Sequence, residues 1–151
     1  MRLRNESDTQ KLAAAMARRL PCGSTVLLQG PLGAGKTTLV RHLLAALGFS
    51  GRVTSPSYTL MHTYPTPRGA VLHVDVYRLS RPEIVYDLGL EDAAADACLT
   101  LIEWGERRTF PKALTVVLEP QQDGSRRVSI SAESAELQKL AQELEKDWFS
   151  D

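Results

Sequence analysis

The sequence predicts a single domain of the α/β class. Three features support this: short apolar runs typical of buried strands, longer segments with apolar residues at helical spacing, and a glycine-rich loop at residues 30–37 that joins a predicted strand to a predicted helix. The chain has 151 residues, of which 43% are hydrophobic, so it can bury one sizeable core. We therefore expect one domain over residues 1–151.

Helical and strand patterns alternate in the first third of the chain. Ser7 begins a capping-box pattern, and apolar residues at helical spacing extend the predicted helix to about Arg19. Residues 25–28 form a short apolar run that predicts a buried strand. After the glycine-rich loop, a stripe of leucines predicts a helix over residues 37–47, and Gly48 suits the position just beyond its end.

The rest of the chain is predicted to be richer in strands. We expect strands at residues 59–64, 70–77 and 98–102, a short helix at residues 83–88, a hairpin of residues 114–118 and 127–131 around residues 122–124, and a helix over residues 137–148. The domain is therefore expected to end in a β-hairpin followed by a helix.

Charge, hydropathy and cysteine spacing exclude several classes of function. Lysine plus arginine equals aspartate plus glutamate at 18 each, so we expect no strong direct binding to RNA or DNA. No apolar run approaches the roughly 20 residues of a membrane span, and the N-terminus lacks a signal-peptide pattern. We expect a cytoplasmic protein with no membrane partner. Cys22 and Cys98 match no zinc or Cys-x-x-Cys pattern, so we expect reduced thiols.

The glycine-rich loop matches the pattern G-x-x-x-x-G-K-[ST], whose backbone N–H groups cradle phosphates. Its residues are Gly30, Pro31, Leu32, Gly33, Ala34, Gly35, Lys36 and Thr37. Glycines let the backbone approach a polyphosphate closely, and the following helix adds unpaired N–H groups and the positive end of its dipole. Lys36 is suited to reach the β- and γ-phosphates, and the Thr37 hydroxyl to bind Mg²⁺. The alternative is a glycine-rich turn without a ligand, which the strand–loop–helix context disfavours. The loop predicts a site for a nucleoside triphosphate with Mg²⁺.

Two carboxylates directly follow mostly apolar runs: Asp75 follows residues 70–74, and Glu103 follows residues 99–102. In open α/β sheets ligands bind at the carboxyl ends of the strands, so both side chains are candidates for the same site. Phosphoryl chemistry needs a carboxylate on the metal side and a group that positions the nucleophile. Each could instead be a surface carboxylate, and spacing does not divide the roles between them. With Lys36 they are the predicted catalytic residues.

The segment at residues 54–59 and His73 could each serve the site, but each also has a purely structural interpretation. The hydroxyl-rich segment at residues 54–59 could sense a γ-phosphate, but the residues alone favour a polar turn around Pro56. His73 is expected to be a strand residue, because a lone histidine is seldom catalytic.

Five motifs occur in a fixed order and span most of the chain. They are the glycine-rich loop with Thr38, T-S-P-S-Y-T-L at residues 54–60, H-V-D-V-Y-R-L at residues 73–79, L-G-L-E at residues 88–91 and I-E-W-G-E-R at residues 102–107. Together they resemble the TsaE (YjeE) family, small bacterial ATPases of tRNA threonylcarbamoyladenosine biosynthesis. The loop alone indicates only a P-loop NTPase, and the other motifs are more specific. Pro31 and Gly105 depart from residues common in the family, but neither departure removes a ligand.

The resemblance implies a three-layer P-loop NTPase fold with a mainly parallel central sheet. It implies ATP as the nucleotide, in agreement with the absence of an Asn-Lys-x-Asp guanine motif. Thr37 and Glu103 would hold Mg²⁺, and Asp75 would act beside the γ-phosphate. The segment at residues 54–59 would be switch-like. The nucleotide contacts would be residues 30–38 of the loop, with Thr9 and Arg127 on the base side.

The resemblance also implies partners. Family members act with TsaB and TsaD proteins, and TsaD transfers a threonylcarbamoyl group to adenosine 37 of tRNAs that read codons beginning with A. ATP hydrolysis by the TsaE-like subunit would reset this complex between turnovers, and would be weak without a partner. A neutral chain suits this role, because the tRNA would be held mainly by other subunits.

Two other classes of function remain as alternatives. A small-molecule kinase also uses a phosphate loop, but the sequence has no compact arginine-rich insertion that would form a lid. A nucleotide-responsive binding module with little catalysis is barely separable from a weak ATPase by sequence.

Overall fold

The computed structural model describes residues 1–150, and Asp151, the last residue of the expected domain, lies outside that range. The elements within residues 1–150 are, in chain order, β1 (Arg2–Leu3), α1 (Glu6–Arg19), β2 (Ser24–Gln29), α2 (Lys36–Ala46), β3 (Met61–Tyr64), β4 (Ala70–Asp75), α3 (Ile84–Asp87), α4 (Leu90–Ala95), β5 (Ala97–Glu103), β6 (Leu114–Pro120), β7 (Arg126–Ser131) and α5 (Ala135–Phe149). None of these helices is long and apolar enough to cross a bilayer.

The strands form one mixed sheet with the order β1-β7-β6-β2-β5-β4-β3. Its centre is parallel, because β2 pairs in parallel with both β5 and β6, and β4 pairs in parallel with β5. The edges are antiparallel, because β3–β4 and β6–β7 are hairpins and β1 pairs antiparallel with β7. Short connections can join only antiparallel neighbours. The expected parallel pairing is therefore confirmed for the centre of the sheet, which as a whole is mixed.

Helices cover both faces of this sheet. Leu28 of β2 and Leu101 of β5 belong to one buried cluster with residues of α1, α2 and α5. Their chain neighbours Leu27 and Ile102 belong to a second cluster, with Val85 of α3 and Leu90 of α4 among its members. Successive side chains of a strand point to opposite faces, so the two clusters lie on opposite sides of the sheet.

Most predicted elements are present with shifted ends. The C-terminal hairpin and helix are confirmed as β6, β7 and α5. Gly48 lies just beyond α2 with φ of +99°, as its predicted position requires. The strand expected from residue 59 begins only at Met61, since Leu60 has φ of +70° and donates its N–H to the carbonyl of Pro56.

The predicted start of the first helix is wrong by two residues. Asn5, not Ser7, is the N-cap, and its side-chain oxygen accepts a hydrogen bond from the N–H of Asp8 at 2.9 Å. Asparagine is at least as good an N-cap as serine, so the capping preference alone does not distinguish Asn5 from Ser7.

The expectation of two reduced thiols is also wrong. Cys22 and Cys98 form a disulfide between the turn after α1 and the start of β5. The N–H of Gly23 donates to the carbonyl of Cys98 at 2.7 Å, which holds the two segments side by side. The bridge joins residues 76 apart in sequence and lies at the opposite end of β5 from Glu103.

Candidate phosphate-binding site

The glycine-rich loop connects the carboxyl end of β2 to the N-terminus of α2. Gly30, Gly33 and Gly35 have φ of +145°, +80° and +103°, a region that other residues avoid. A Cβ at Gly30 would lie 2.4 Å from the carbonyl oxygen of Leu118, so only glycine fits there. No side chain caps the N-terminus of α2, so its first N–H groups are available to an anion.

Lys36 points its ammonium group into the loop. The ammonium donates to the carbonyl oxygens of Gly30 at 2.5 Å and Pro31 at 3.1 Å. It also lies 3.7 Å from the centroid of the Trp104 ring, a cation–π contact. The loop carbonyls therefore accept hydrogen bonds from the Lys36 ammonium that a phosphate oxygen could otherwise accept.

Thr37 and Glu103 meet across the gap between α2 and β5. The Thr37 hydroxyl lies 3.1 and 3.2 Å from the two carboxylate oxygens of Glu103. Among residues 1–150 no group of three or more His, Cys, Asp or Glu side chains could hold a metal ion. A hydroxyl and one carboxylate nevertheless suit Mg²⁺, which typically takes one or two protein carboxylates together with phosphate and water oxygens.

Trp104 adopts a left-handed backbone conformation directly after Glu103, with φ of +67°. Such a conformation is rare for a bulky residue and is concentrated at functional sites. The N–H of Trp104 donates to the carbonyl of Leu28 at 3.1 Å, and its ring lies 4.7 Å from that of Tyr77. This turn ends β5 and places the indole beside Lys36.

Asp75 ends β4 in register with Glu103 on β5. One of its carboxylate oxygens accepts hydrogen bonds from the hydroxyls of Ser55 at 3.0 Å and Ser57 at 3.1 Å. The other accepts from the N–H of Tyr77 at 2.9 Å. The hydroxyl-rich segment, residues 54–59, is thus folded onto this carboxylate.

Three charged side chains are nearly buried in this region. Lys36 is 5% exposed, Asp75 2% and Glu103 3%. Burial lowers the pKa of the Lys36 ammonium below its ordinary value, while the negative charges of Glu103 and Asp75 act to raise it. Buried charges are costly unless partners compensate them, and such clusters are typical of functional sites.

A cavity of about 370 Å³ brings most predicted site residues together. Its lining consists of Leu32, Gly33, Ala34, Gly35, Lys36, Thr37, Thr38, Ser55, Ser57, Asp75, Tyr77, Glu103, Trp104 and Arg126. A neighbouring cavity of about 180 Å³ shares Ala34, Gly35, Thr38 and Arg126 with it and includes Thr9. Thr9 therefore lies beside the loop, and its role on the base side stays a prediction.

Arg127 lines neither of these two cavities, whereas its neighbour Arg126 lines both. The Arg126 guanidinium donates to the carbonyl oxygens of Ala34 at 2.8 Å and Gly33 at 3.4 Å. Sequence reasoning missed this arginine, because a hairpin pattern does not show which of two adjacent arginines faces the loop.

His73 is the second residue that sequence reasoning missed. It lies on β4 as expected, but its Nε2 is 2.5 Å from a carboxylate oxygen of Glu103. The H-V-D spacing puts His73 and Asp75 on one face of the strand, which was the available signal.

A family model described as Threonylcarbamoyl adenosine biosynthesis protein TsaE matches residues 3–129. The chain belongs to the TsaE family. It is 39% identical over 138 residues to a tRNA threonylcarbamoyladenosine biosynthesis protein TsaE of Rickettsia felis, covering 89% of this chain and 80% of that protein. To a protein of the same description from Treponema pallidum it is 37% identical over 131 residues, covering 85% and 96%.

The fold of this TsaE-family chain is similar to the crystal structure of YdiB from Bacillus subtilis. The TM-score is 0.79 at 26% sequence identity, with 97% of this chain and 93% of the other covered. Family membership places the chain in the biosynthesis of threonylcarbamoyladenosine in tRNA. The TsaE family match includes every residue that lines the larger cavity.

Proposed function

We propose that this chain binds ATP with Mg²⁺ in the cavity at the glycine-rich loop and hydrolyses it within the threonylcarbamoyladenosine machinery. In this proposal it is a single P-loop NTPase domain with the three-layer arrangement of that fold. Hydrolysis would reset a complex of TsaB- and TsaD-like proteins between turnovers.

The observation that supports this most is the convergence of Lys36, Thr37 and Glu103 on one cavity. The loop backbone and Lys36 would hold the β- and γ-phosphates, because N–H groups and an ammonium are the donors a polyphosphate needs. Thr37 and Glu103 would hold Mg²⁺, which would neutralise charge that develops on the phosphates. Leu32, Thr38 and the rest of the loop would complete the nucleotide contacts, with Thr9 on the base side.

Asp75 would orient the attacking water, and its contacts support a slow basal reaction. Both of its carboxylate oxygens already accept hydrogen bonds, from Ser55 and Ser57 on one side and Tyr77 on the other. A water can be oriented only if it shares or replaces these donors. A partner that moves residues 54–59 would free the carboxylate, so turnover is expected to depend on the partner.

The balance of charge supports indirect contact with tRNA. Equal numbers of basic and acidic residues leave no net positive charge to hold a polyanion, so the tRNA would be bound mainly by the partner proteins. We propose that the chain acts in the cytoplasm and has no membrane or DNA partner.

The test follows γ-labelled ATP with the purified chain alone and with added TsaB- and TsaD-like proteins. We expect slow release of free phosphate that increases when both partners are present. Lys36→Ala serves as the control for activity that does not come from this loop. A pull-down with the two partners, with and without ATP, tests whether the complex depends on the nucleotide.

Two results would contradict the proposal in different ways. Transfer of the label to a small metabolite would indicate a kinase. Tight ATP binding without phosphate release, with or without partners, would indicate a binding module that uses ATP as a switch.

A further inference from the structure

We infer that His73 is a positioning residue for the metal-side carboxylate: its Nε2–H holds Glu103 in the orientation in which Glu103 and Thr37 receive a divalent cation. The inference rests on the proposed function for the identity of the ligand. The contact on which it depends belongs to the chain itself and can be tested without any ligand.

The contact is short and fully buried. His73 is 0% exposed, and its Nε2 lies 2.5 Å from a carboxylate oxygen of Glu103, which is itself 3% exposed. In parallel strands β4 and β5, His73 pairs with Leu101, two residues before Glu103, so its ring reaches diagonally to the carboxylate. The Tyr64 ring, 6.5 Å from the imidazole between centroids, lies nearby on β3.

The other ring nitrogen identifies the tautomer. Nδ1 of His73 is buried and has no hydrogen-bond partner among residues 1–150. A proton on Nδ1 would leave a buried donor unpaired, whereas a bare lone pair there costs less, and a proton on Nε2 meets a carboxylate. The geometry therefore favours a proton on Nε2, directed at Glu103.

The carboxylate is thereby fixed by two donors. Its oxygens accept from the Thr37 hydroxyl at 3.1 and 3.2 Å, and one of them also accepts from His73. Glu103 also lines the cavity in front of the loop, from which a cation would approach it. A mobile glutamate would lose side-chain entropy when it binds a cation. Because these hydrogen bonds already fix the Glu103 side chain, that entropy cost does not weaken cation binding.

The test compares two amide replacements that differ in reach. His73→Gln carries its amide nitrogen at about the distance of Nε2 from the backbone, and His73→Asn at about that of Nδ1. Thr115→Val is the control for disturbing the sheet, because Thr115 is another buried strand residue whose side-chain oxygen lacks a partner among residues 1–150.

The first measurement titrates Mg²⁺ against the binding of a fluorescent ATP analogue, with a metal-free baseline in chelator. We expect His73→Asn to need about tenfold more Mg²⁺ for half of the metal-dependent effect, with metal-free binding unchanged, because outer-shell partners typically contribute 10–100-fold to metal affinity. His73→Gln and Thr115→Val should need about as much Mg²⁺ as the wild type. Equal Mg²⁺ requirements for all four proteins, or equal losses in the two His73 variants, would overturn the inference.

The second measurement uses the wild-type protein without nucleotide or metal. Long-range ¹H–¹⁵N correlation of the His73 ring should show a proton on Nε2. The absence of a proton from Nε2 would overturn the inference even if the protein proves to be an ATPase. If the wild type binds no nucleotide at all, the proposed function fails, and the ring spectrum still decides whether His73 donates to Glu103.

Discussion

The ammonium of Lys36 lies 3.7 Å from the centroid of the Trp104 ring, and two carbonyl oxygens of the loop accept its hydrogen bonds. The indole reaches this place because its backbone is left-handed immediately after Glu103. One distorted turn thus connects the residue proposed to bind the metal with the residue proposed to bind the phosphates. A nucleotide must replace or share these contacts of Lys36. The affinity for the nucleotide therefore depends on how much stronger the contacts of Lys36 with the phosphates are than its contacts with the loop carbonyls and Trp104.

Replacing Lys36 with alanine should weaken ATP binding strongly. Removal of one partner of a hydrogen bond to a charged group costs about 1.5–3 kcal/mol, or roughly 10–150-fold in affinity. Equilibrium binding of a fluorescent ATP analogue measures the effect, with Lys139→Ala on the exposed surface of α5 as the matched control. Wild-type affinity and turnover in Lys36→Ala would remove the lysine from its proposed role.

Replacing Glu103 and Asp75 by their amides should separate metal binding from turnover. Glu103→Gln keeps the shape of the side chain but loses the charge, so we expect the Mg²⁺-dependent rate to fall by more than nucleotide affinity does. Asp75→Asn should reduce turnover while leaving the Mg²⁺ requirement near that of the wild type. The measurement is the hydrolysis rate as a function of Mg²⁺ at saturating ATP. The opposite pattern would exchange the roles of the two residues.

Gly30→Ala should disrupt the loop more than an alanine at another glycine with positive φ. The new Cβ would lie 2.4 Å from the carbonyl oxygen of Leu118, so the backbone of the loop must shift. A Cβ at Gly124, where φ is +87°, would meet only open space, which makes Gly124→Ala the control. Backbone strain at positive φ should cost each variant about 1–2 kcal/mol of unfolding free energy, and the clash with Leu118 should cost Gly30→Ala more, as measured by denaturant titration. Only Gly30→Ala should also lose ATP binding; equal binding by the two variants would contradict this.

The predictable parts of the site are those with a local sequence pattern. The glycine-rich loop is predictable because one continuous segment sets its conformation, and Asp75 and Glu103 are predictable because each follows an apolar run at a strand end. The structure places all three around one cavity. The link between Asp75 and Ser55 depends on how residues 54–59 fold back, and no spacing rule fixes that.

The unpredicted parts depend on long-range pairing. Strand β1 has two residues, too few for a periodic pattern, and it exists because it pairs with β7 near the other end of the chain. Helix α4 follows Gly89, which gives no side-chain cap to signal a helix start. Arg126 and Arg127 are adjacent in a strand, where a shift of one residue exchanges the two faces.

Arg126→Gln should weaken ATP binding more than Arg127→Gln does. Arg126 donates to the carbonyls of Ala34 and Gly33, which leaves the N–H groups of the loop free for an anion. Loss of these bonds should cost about 1–2 kcal/mol, or roughly 5–30-fold in affinity, because each net hydrogen bond contributes about 1 kcal/mol. Binding of ATP and of triphosphate alone would be compared in both variants. A larger effect of Arg127→Gln on ATP than on triphosphate would favour the base-side role that the family resemblance implies.

Loss of the Cys22–Cys98 disulfide should lower stability without altering the loop. The bridge joins residues 76 apart, and in the chain-entropy model a closed loop of that size stabilises the fold by roughly 4.5 kcal/mol. Cys98 lies at the start of β5 and Glu103 at its end, so the site should keep its geometry. We expect the Cys22→Ser/Cys98→Ser variant and the wild type in reductant to unfold at the same lower denaturant concentration, with ATP affinity unchanged. Unfolding of the oxidised wild type at that same concentration would contradict a stabilising role, and two free thiols by mass spectrometry after isolation under oxidising conditions would contradict the bridge itself.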